Sequence, residues 1–207
     1  MPRDTRGAAD VLTALRTATA QSHETVERTL DLLDPGLDRP RLTAVFGRLL
    51  GFWSAAEAGL DAWAHRHPAD AARLQWARRR RAALFAADLT ALGGPSGEPA
   101  VPALPDVPAT DEALGRLYVL EGSTLGGTFI DRHLSGLPAL GAGVRVRAFS
   151  PYGPETGAMW HAYRQATREH VAAGGDPHRV VGAARDTFAA LAGWCRPVAR
   201  LGDRLPA

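Results

Sequence analysis

The segment Arg116-Leu117-Tyr118-Val119-Leu120-Glu121-Gly122-Ser123-Thr124-Leu125-Gly126-Gly127-Thr128-Phe129-Ile130 reads as helix at most positions, yet it contains three glycines and follows a fourth, Gly115. Wound at about 100° per residue, Gly115, Gly122 and Gly126 fall within roughly 40° of one another, with Gly127 beside them. The helix therefore carries a stripe without side chains. Each glycine in a helix interior costs about 1 kcal/mol relative to alanine, so a close approach must return the loss. Either another helix backbone or a flat ligand lies against the stripe, and spacing alone does not choose between them.

The rest of the chain supplies only helices as company. Over residues 10–33 apolar side chains recur at helical spacing (Val11, Leu15, Ala18, Val26, Leu30, Leu33). A second helix is predicted over 41–65, where Phe52 and Trp53 read as core or, with help from elsewhere, as the wall of a site for a flat apolar ligand. A third spans 71–92 and includes the run Arg78-Arg79-Arg80-Arg81, which reads as a solvated face or a dock for an acidic partner. The striped helix starts near Thr110, a candidate N-cap. Further helices are predicted over 154–173 and 176–201, the last ended or kinked by Pro197. Turn formers crowd 34–40, 93–108 and 141–153, and His65 and His67 read as solvated turn residues. Without strand alternation or repeats, the prediction is an all-α domain of six or seven helices over residues 1–207, with 1–9 flexible.

Composition narrows the classes of partner. The 207 residues carry 45% hydrophobic and 22% charged residues, an ordinary globular balance that argues against disorder. Arginine carries the positive charge and the formal net charge is only +2, so no dense basic face and no nucleic-acid partner are expected. The single cysteine, Cys195, cannot form an internal disulfide. With no apolar leader at the N-terminus and no run of membrane-spanning length, a cytoplasmic protein without membrane insertion is expected.

One pair on the first helix has chemistry of its own. His23 and Glu27 stand one turn apart and share a face. A neutral imidazole can bind iron or zinc through one nitrogen while a carboxylate orients the other, although a lone His with Glu at i+4 is also a common surface pair.

Together the two motifs resemble the heme oxygenases. The segment from Leu15 through His23 to Glu27 is similar to that family's proximal helix, and Tyr118 to Gly127 is similar to its distal helix, most of all in the bacterial branch associated with bacteriophytochromes. The likeness runs from about Leu12 to Trp194. It implies an all-α, single-domain bundle with heme b, substrate and prosthetic group at once, held between the two helices. The implied reaction cleaves heme to biliverdin, carbon monoxide and ferrous iron, using dioxygen and an external electron donor (a ferredoxin, flavodoxin or reductase). A bacteriophytochrome is the further partner implied.

Residue by residue, the resemblance assigns the iron to His23, with Glu27 behind it. It places Gly122, Ser123, Gly126 and Gly127 on the distal side of the heme. Arg16 and the pair Tyr163-Arg164 fall to the propionates, for which an arginine fork is well matched, and Phe188 packs beside the ring. Ser123 departs from the pattern, because many family members have an aspartate there that organises water. Serine donates and accepts but holds no negative charge, so Glu121 or ordered water is expected to assist proton delivery. A heme carrier or sensor without turnover is the alternative reading. A di-iron oxidase would require Glu-x-x-His spacing, which no glutamate here provides.

Overall fold

The structure, a computed structural model, describes residues 5–141 and 145–199. Nine α-helices appear among them and no strand: α1 Thr5–Leu30, α2 Arg39–Arg66, α3 Pro68–Arg73, α4 Trp76–Arg79, α5 Ala82–Ala91, α6 Thr110–Gly122, α7 Gly127–Ser135, α8 Thr156–Ala172 and α9 Pro177–Cys195. α6 and α1 both lie along α9, α8 packs against α1, and α5 packs on α2. Between α2 and α5 the side chains of Phe46, Trp53 and Phe85 meet Phe149 in a buried aromatic cluster. Phe52 and Trp53 are therefore core residues. No described helix is long and apolar enough to cross a membrane.

The helix ends follow local chemistry. α1 stops at Leu30 because Asp31 turns left-handed at φ 45°, which puts Leu33 outside the helix and half in solvent. Asp38 caps α2 by accepting from the Arg41 amide at 2.9 Å, with Pro40 in the first turn. Asp176 caps α9 in the same way, through the amides of His178 and Arg179. Thr110 is not a cap: its hydroxyl donates to Asp70 at 2.5 Å and accepts from the Trp63 indole at 3.3 Å. His67 is likewise no free turn residue, since it stacks on Trp63 and lies 3.2 Å from the Pro108 carbonyl. Residues 1–4, part of the segment expected to be flexible, and 200–207, which include the end of the last predicted helix, lie outside the described residues.

The largest departure from expectation concerns 71–92. The predicted single helix is three short ones, broken where Gln75 adopts φ 53° and again where Arg80 is extended. Extended backbone sends successive side chains to opposite sides. Arg79 and Arg81 therefore enter the core, at 2% and 0% exposure, while Arg78 and Arg80 stay outside and pair with Glu155 and Asp61. A four-arginine run that looked solvated is split between surface and core because the chain leaves the helix at Arg80 and Arg81.

Inside, Arg79 pairs with the buried carboxylate of Glu121 on α6, which also accepts from the Tyr152 hydroxyl at 2.9 Å. Burial, reinforced by the neighbouring Glu121 charge, pushes the Tyr152 phenol well above its usual range. Glu57 receives the amides of Arg81 and Ala82 at 2.6 and 2.8 Å and so holds the start of α5, though burial still raises its carboxyl. Asp88 accepts from Arg147 and Ala148, both at 2.8 Å, and is raised for the same reason. These contacts tie the segment after α7 to the α2–α5 body.

Candidate functional site

A cleft of about 700 Å³ opens between α1, α6, α8 and α9. On α1 its wall is a single stripe, Leu12, Arg16, Thr19 and His23, spaced three, four and seven residues apart as one helical face requires. Tyr118 and Gly122 face it from α6, followed by Leu125 in the turn; Phe188 closes one side from α9. On α8 the stripe is Trp160, Arg164 and Arg168, each one turn from the next. The volume falls within the roughly 300–1,000 Å³ typical of sites that enclose a cofactor-sized ligand.

His23 is half exposed and its ring meets the edge of Phe188 at 5.8 Å between centroids. Nδ1 lies 3.4 Å from a Glu27 carboxylate oxygen, longer than a good hydrogen bond but close enough to bias the ring's orientation. The other nitrogen, Nε2, is then the one left for a ligand. Arg16, Arg164 and Arg168 form no ion pair or side-chain hydrogen bond with other described residues, so three uncommitted cations border one cleft.

The glycine stripe serves two purposes at different heights. A Cβ on Gly115 would sit 2.3 Å from the Val180 carbonyl oxygen and 2.8 Å from the Ala184 amide, so this glycine lets α6 and α9 pack backbone to backbone. A Cβ on Gly122 or Gly126 would meet nothing within 4 Å. Gly122 thus leaves open space on the cleft, which suits a flat ligand approaching the main chain. Gly127 belongs to the packing group: its Cβ would fall 1.8 Å from the Phe149 carbonyl oxygen.

This contrast gives an expected result of opposite signs. Gly122→Ala should hold or raise the stability of the ligand-free protein, by up to about 1 kcal/mol from helix propensity. Gly115→Ala should lose roughly 1–3 kcal/mol by overpacking. Paired chemical denaturation curves check this, and two variants moving in the same direction would contradict the division.

Of the sequence-predicted residues, Arg16, His23, Gly122, Arg164 and Phe188 line one cleft, with Glu27 behind His23 and Gly126 open beside it. Four others are placed elsewhere, the first being Gly127, whose backbone packs on the Phe149 carbonyl and does not line the cleft. Tyr163 is fully buried and donates to the Leu114 carbonyl at 3.0 Å, because it lies one position round the helix from the Trp160–Arg164–Arg168 stripe. Burial pushes its phenol well up as well. Ser123 donates to the Leu120 carbonyl at 2.7 Å and accepts from Arg81 at 3.0 Å, which keeps its hydroxyl within α6's own end. Glu121, expected to assist proton delivery, is committed to Arg79 and Tyr152 inside the core. Tyr118, Trp160 and Arg168 were missed; the i+4 spacing of the α8 stripe was the signal that could have found the last two.

A sequence model of the heme oxygenase family matches residues 9–196, and the chain belongs to that family, whose enzymes break down heme. No curated protein matches the sequence. Among solved structures, the heme oxygenase from Neisseria meningitidis, determined in NO- and CO-bound forms, is similar over 91% of both chains at 21% identity with a TM-score of 0.68. At that identity the likeness is one of fold.

Proposed function

We propose that the α1–α6–α8–α9 cleft is where this heme oxygenase binds heme b and opens it to biliverdin, carbon monoxide and ferrous iron. The observation that carries the assignment is the meeting, in one cleft, of an imidazole, a side-chain-free patch of helix and three uncommitted arginines. Bound heme supplies the iron at which dioxygen is reduced next to the macrocycle edge.

The chain's part is to hold and shape. His23 ligates iron through Nε2, and Glu27 holds the ring by its other nitrogen. Gly122 admits the macrocycle to the α6 backbone, where any side chain would occupy the space. Phe188, Tyr118 and Trp160 present apolar ring surface that excludes water from its faces. Arg16, Arg164 and Arg168 take the propionates, and their forked guanidinium groups fix the rotation of heme within the cleft. That rotation selects the ring position that reacts.

Reducing equivalents come from a ferredoxin, flavodoxin or reductase. Proton delivery falls to water, since Ser123 and Glu121 are both committed elsewhere. A cytoplasmic role in supplying biliverdin to a bacteriophytochrome fits the likeness of the Tyr118–Gly127 segment to that branch. Adding ascorbate or a ferredoxin system to the hemin complex should bleach the Soret band as biliverdin and carbon monoxide form. A Soret band that persists through this treatment would make the protein a carrier or sensor instead.

A further inference from the structure

Behind the break between α6 and α7 lies a fully buried guanidinium, that of Arg81. Among the described residues it forms no direct ion pair with a carboxylate. Its Nη2 donates to the Leu120 carbonyl and, at 3.0 Å, to the Ser123 hydroxyl, while Nη1 donates to the Ala148 carbonyl at 3.2 Å. The group lies 5.0 Å from the centre of the Trp53 ring, and its Nε has no hydrogen-bond partner among the described residues. So expensive a placement for a cation calls for a function.

The backbone at the break suggests one. In an unbroken helix the Leu120 carbonyl would accept from the Thr124 amide. Here the Thr124 amide bonds to Glu121 at 3.0 Å and the Leu125 amide to Gly122 at 3.2 Å, both in tighter i→i+3 turns. The Leu120 carbonyl is left to Arg81 and the Ser123 hydroxyl. The same guanidinium holds Ala148, whose neighbour Phe149 supplies the carbonyl that Gly127, the first residue of α7, packs against. Both sides of the break are thus referred to one side chain from the α4–α5 corner.

We propose that Arg81 is a positioning residue for the heme cleft, one that replaces the missing helical amide at Leu120 and so holds Gly122 and the turn after it in the broken form that faces the ligand. The proposal rests on the heme reading for its consequence in catalysis, but not for the clamp itself. Gly122 lies between the two residues that Arg81 grips, Leu120 in α6 and Ser123 just after it, so a change in the clamp moves the backbone lining the cleft without touching a cleft side chain. Ser123 acquires a role here as well: at this position serine completes the carbonyl cap, which explains why its hydroxyl is turned to Arg81.

The test uses Arg81→Met and Arg81→Lys in the full chain. Both should fold, because Glu121 keeps Arg79 and Glu57 keeps its two backbone amides when Arg81 is replaced. In the heme-free protein, amide hydrogen exchange over residues 119–128 should rise roughly tenfold or more in Arg81→Met. Residues 113–118, packed on α9, should keep their protection, and Arg81→Lys should restore part of the loss. With hemin bound, the midpoint of the pH-dependent change in the heme absorption bands should shift in Arg81→Met, which a merely less stable protein would not show. Unchanged exchange at 119–128, exchange rising equally across α6 and α9, or an unmoved midpoint would each overturn the proposal. Failure of the parent protein to cleave hemin would instead overturn the catalytic reading, and the heme-free exchange result would still decide the clamp.

Discussion

Replacing His23 with alanine is expected to abolish turnover of bound heme and to change the absorption spectrum of the complex. The cleft has other groups that can hold a porphyrin: three arginines for carboxylates and the rings of Phe188, Tyr118 and Trp160 for its faces. Hemin should therefore still enter the variant, only more weakly. Loss of the ligand itself should cost at least the roughly 10- to 100-fold in affinity that follows from disturbing a metal ligand's supporting partner. Added imidazole, occupying the space the side chain leaves, should restore much of the spectrum. Glu27→Gln should do far less, since that carboxylate is 68% exposed and 3.4 Å from the ring. Titration with hemin followed at the Soret band checks all three variants. Wild-type affinity and spectrum in His23→Ala would remove His23 as the ligand.

Much of the fold was legible because its signal is periodic. Apolar spacing located α2 to within two residues, and turn formers located the connections around Pro35 and between α5 and α6. The part that failed was the arginine run. Charge normally marks a solvated face, and nothing local says that Arg80 will be extended; that follows from tertiary partners for Arg79 and Arg81 on α6, about 40 residues away. The cleft was half legible for a related reason. His23 and Arg16 share a helical face whose spacing is visible in the sequence, and so do Arg164 and Arg168. The family resemblance assigned Tyr163 to the propionates as a pair with Arg164, but adjacent residues on a helix point about 100° apart, and that rotation carries it into the core. Ser123 and Glu121 stand where a distal polar group belongs. Their hydrogen bonds are nevertheless decided by Arg81, Arg79 and Tyr152, none of which the motif contains.

Glu121→Leu should produce the largest loss of stability of any single change at the α6 end. Both partners of the Glu121–Arg79 pair have side chains only 1% exposed, and the Tyr152 hydroxyl depends on the same carboxylate. Removing it strands a cation that retains only the Leu74 and Met159 carbonyls, together with a half-buried phenol. Breaking a buried pair in this way costs about 3–5 kcal/mol, against a total stability for such domains of roughly 5–15 kcal/mol. The melting temperature should fall by roughly 6–20 °C. The exposed pair Arg78–Glu155 is an internal control, with both side chains more than half exposed, and Glu155→Gln should cost no more than about 1 kcal/mol. In the double variant Glu121→Leu with Arg79→Met, no unpaired charge remains, so most of the lost stability should return. Thermal and denaturant unfolding of the four proteins in this cycle separates the attraction between the pair from the cost of leaving one member alone. A single variant that melts like the Arg78–Glu155 control would mean that water reaches Arg79. In that case Glu121 would be no fixed anchor for the turn that begins at Gly122.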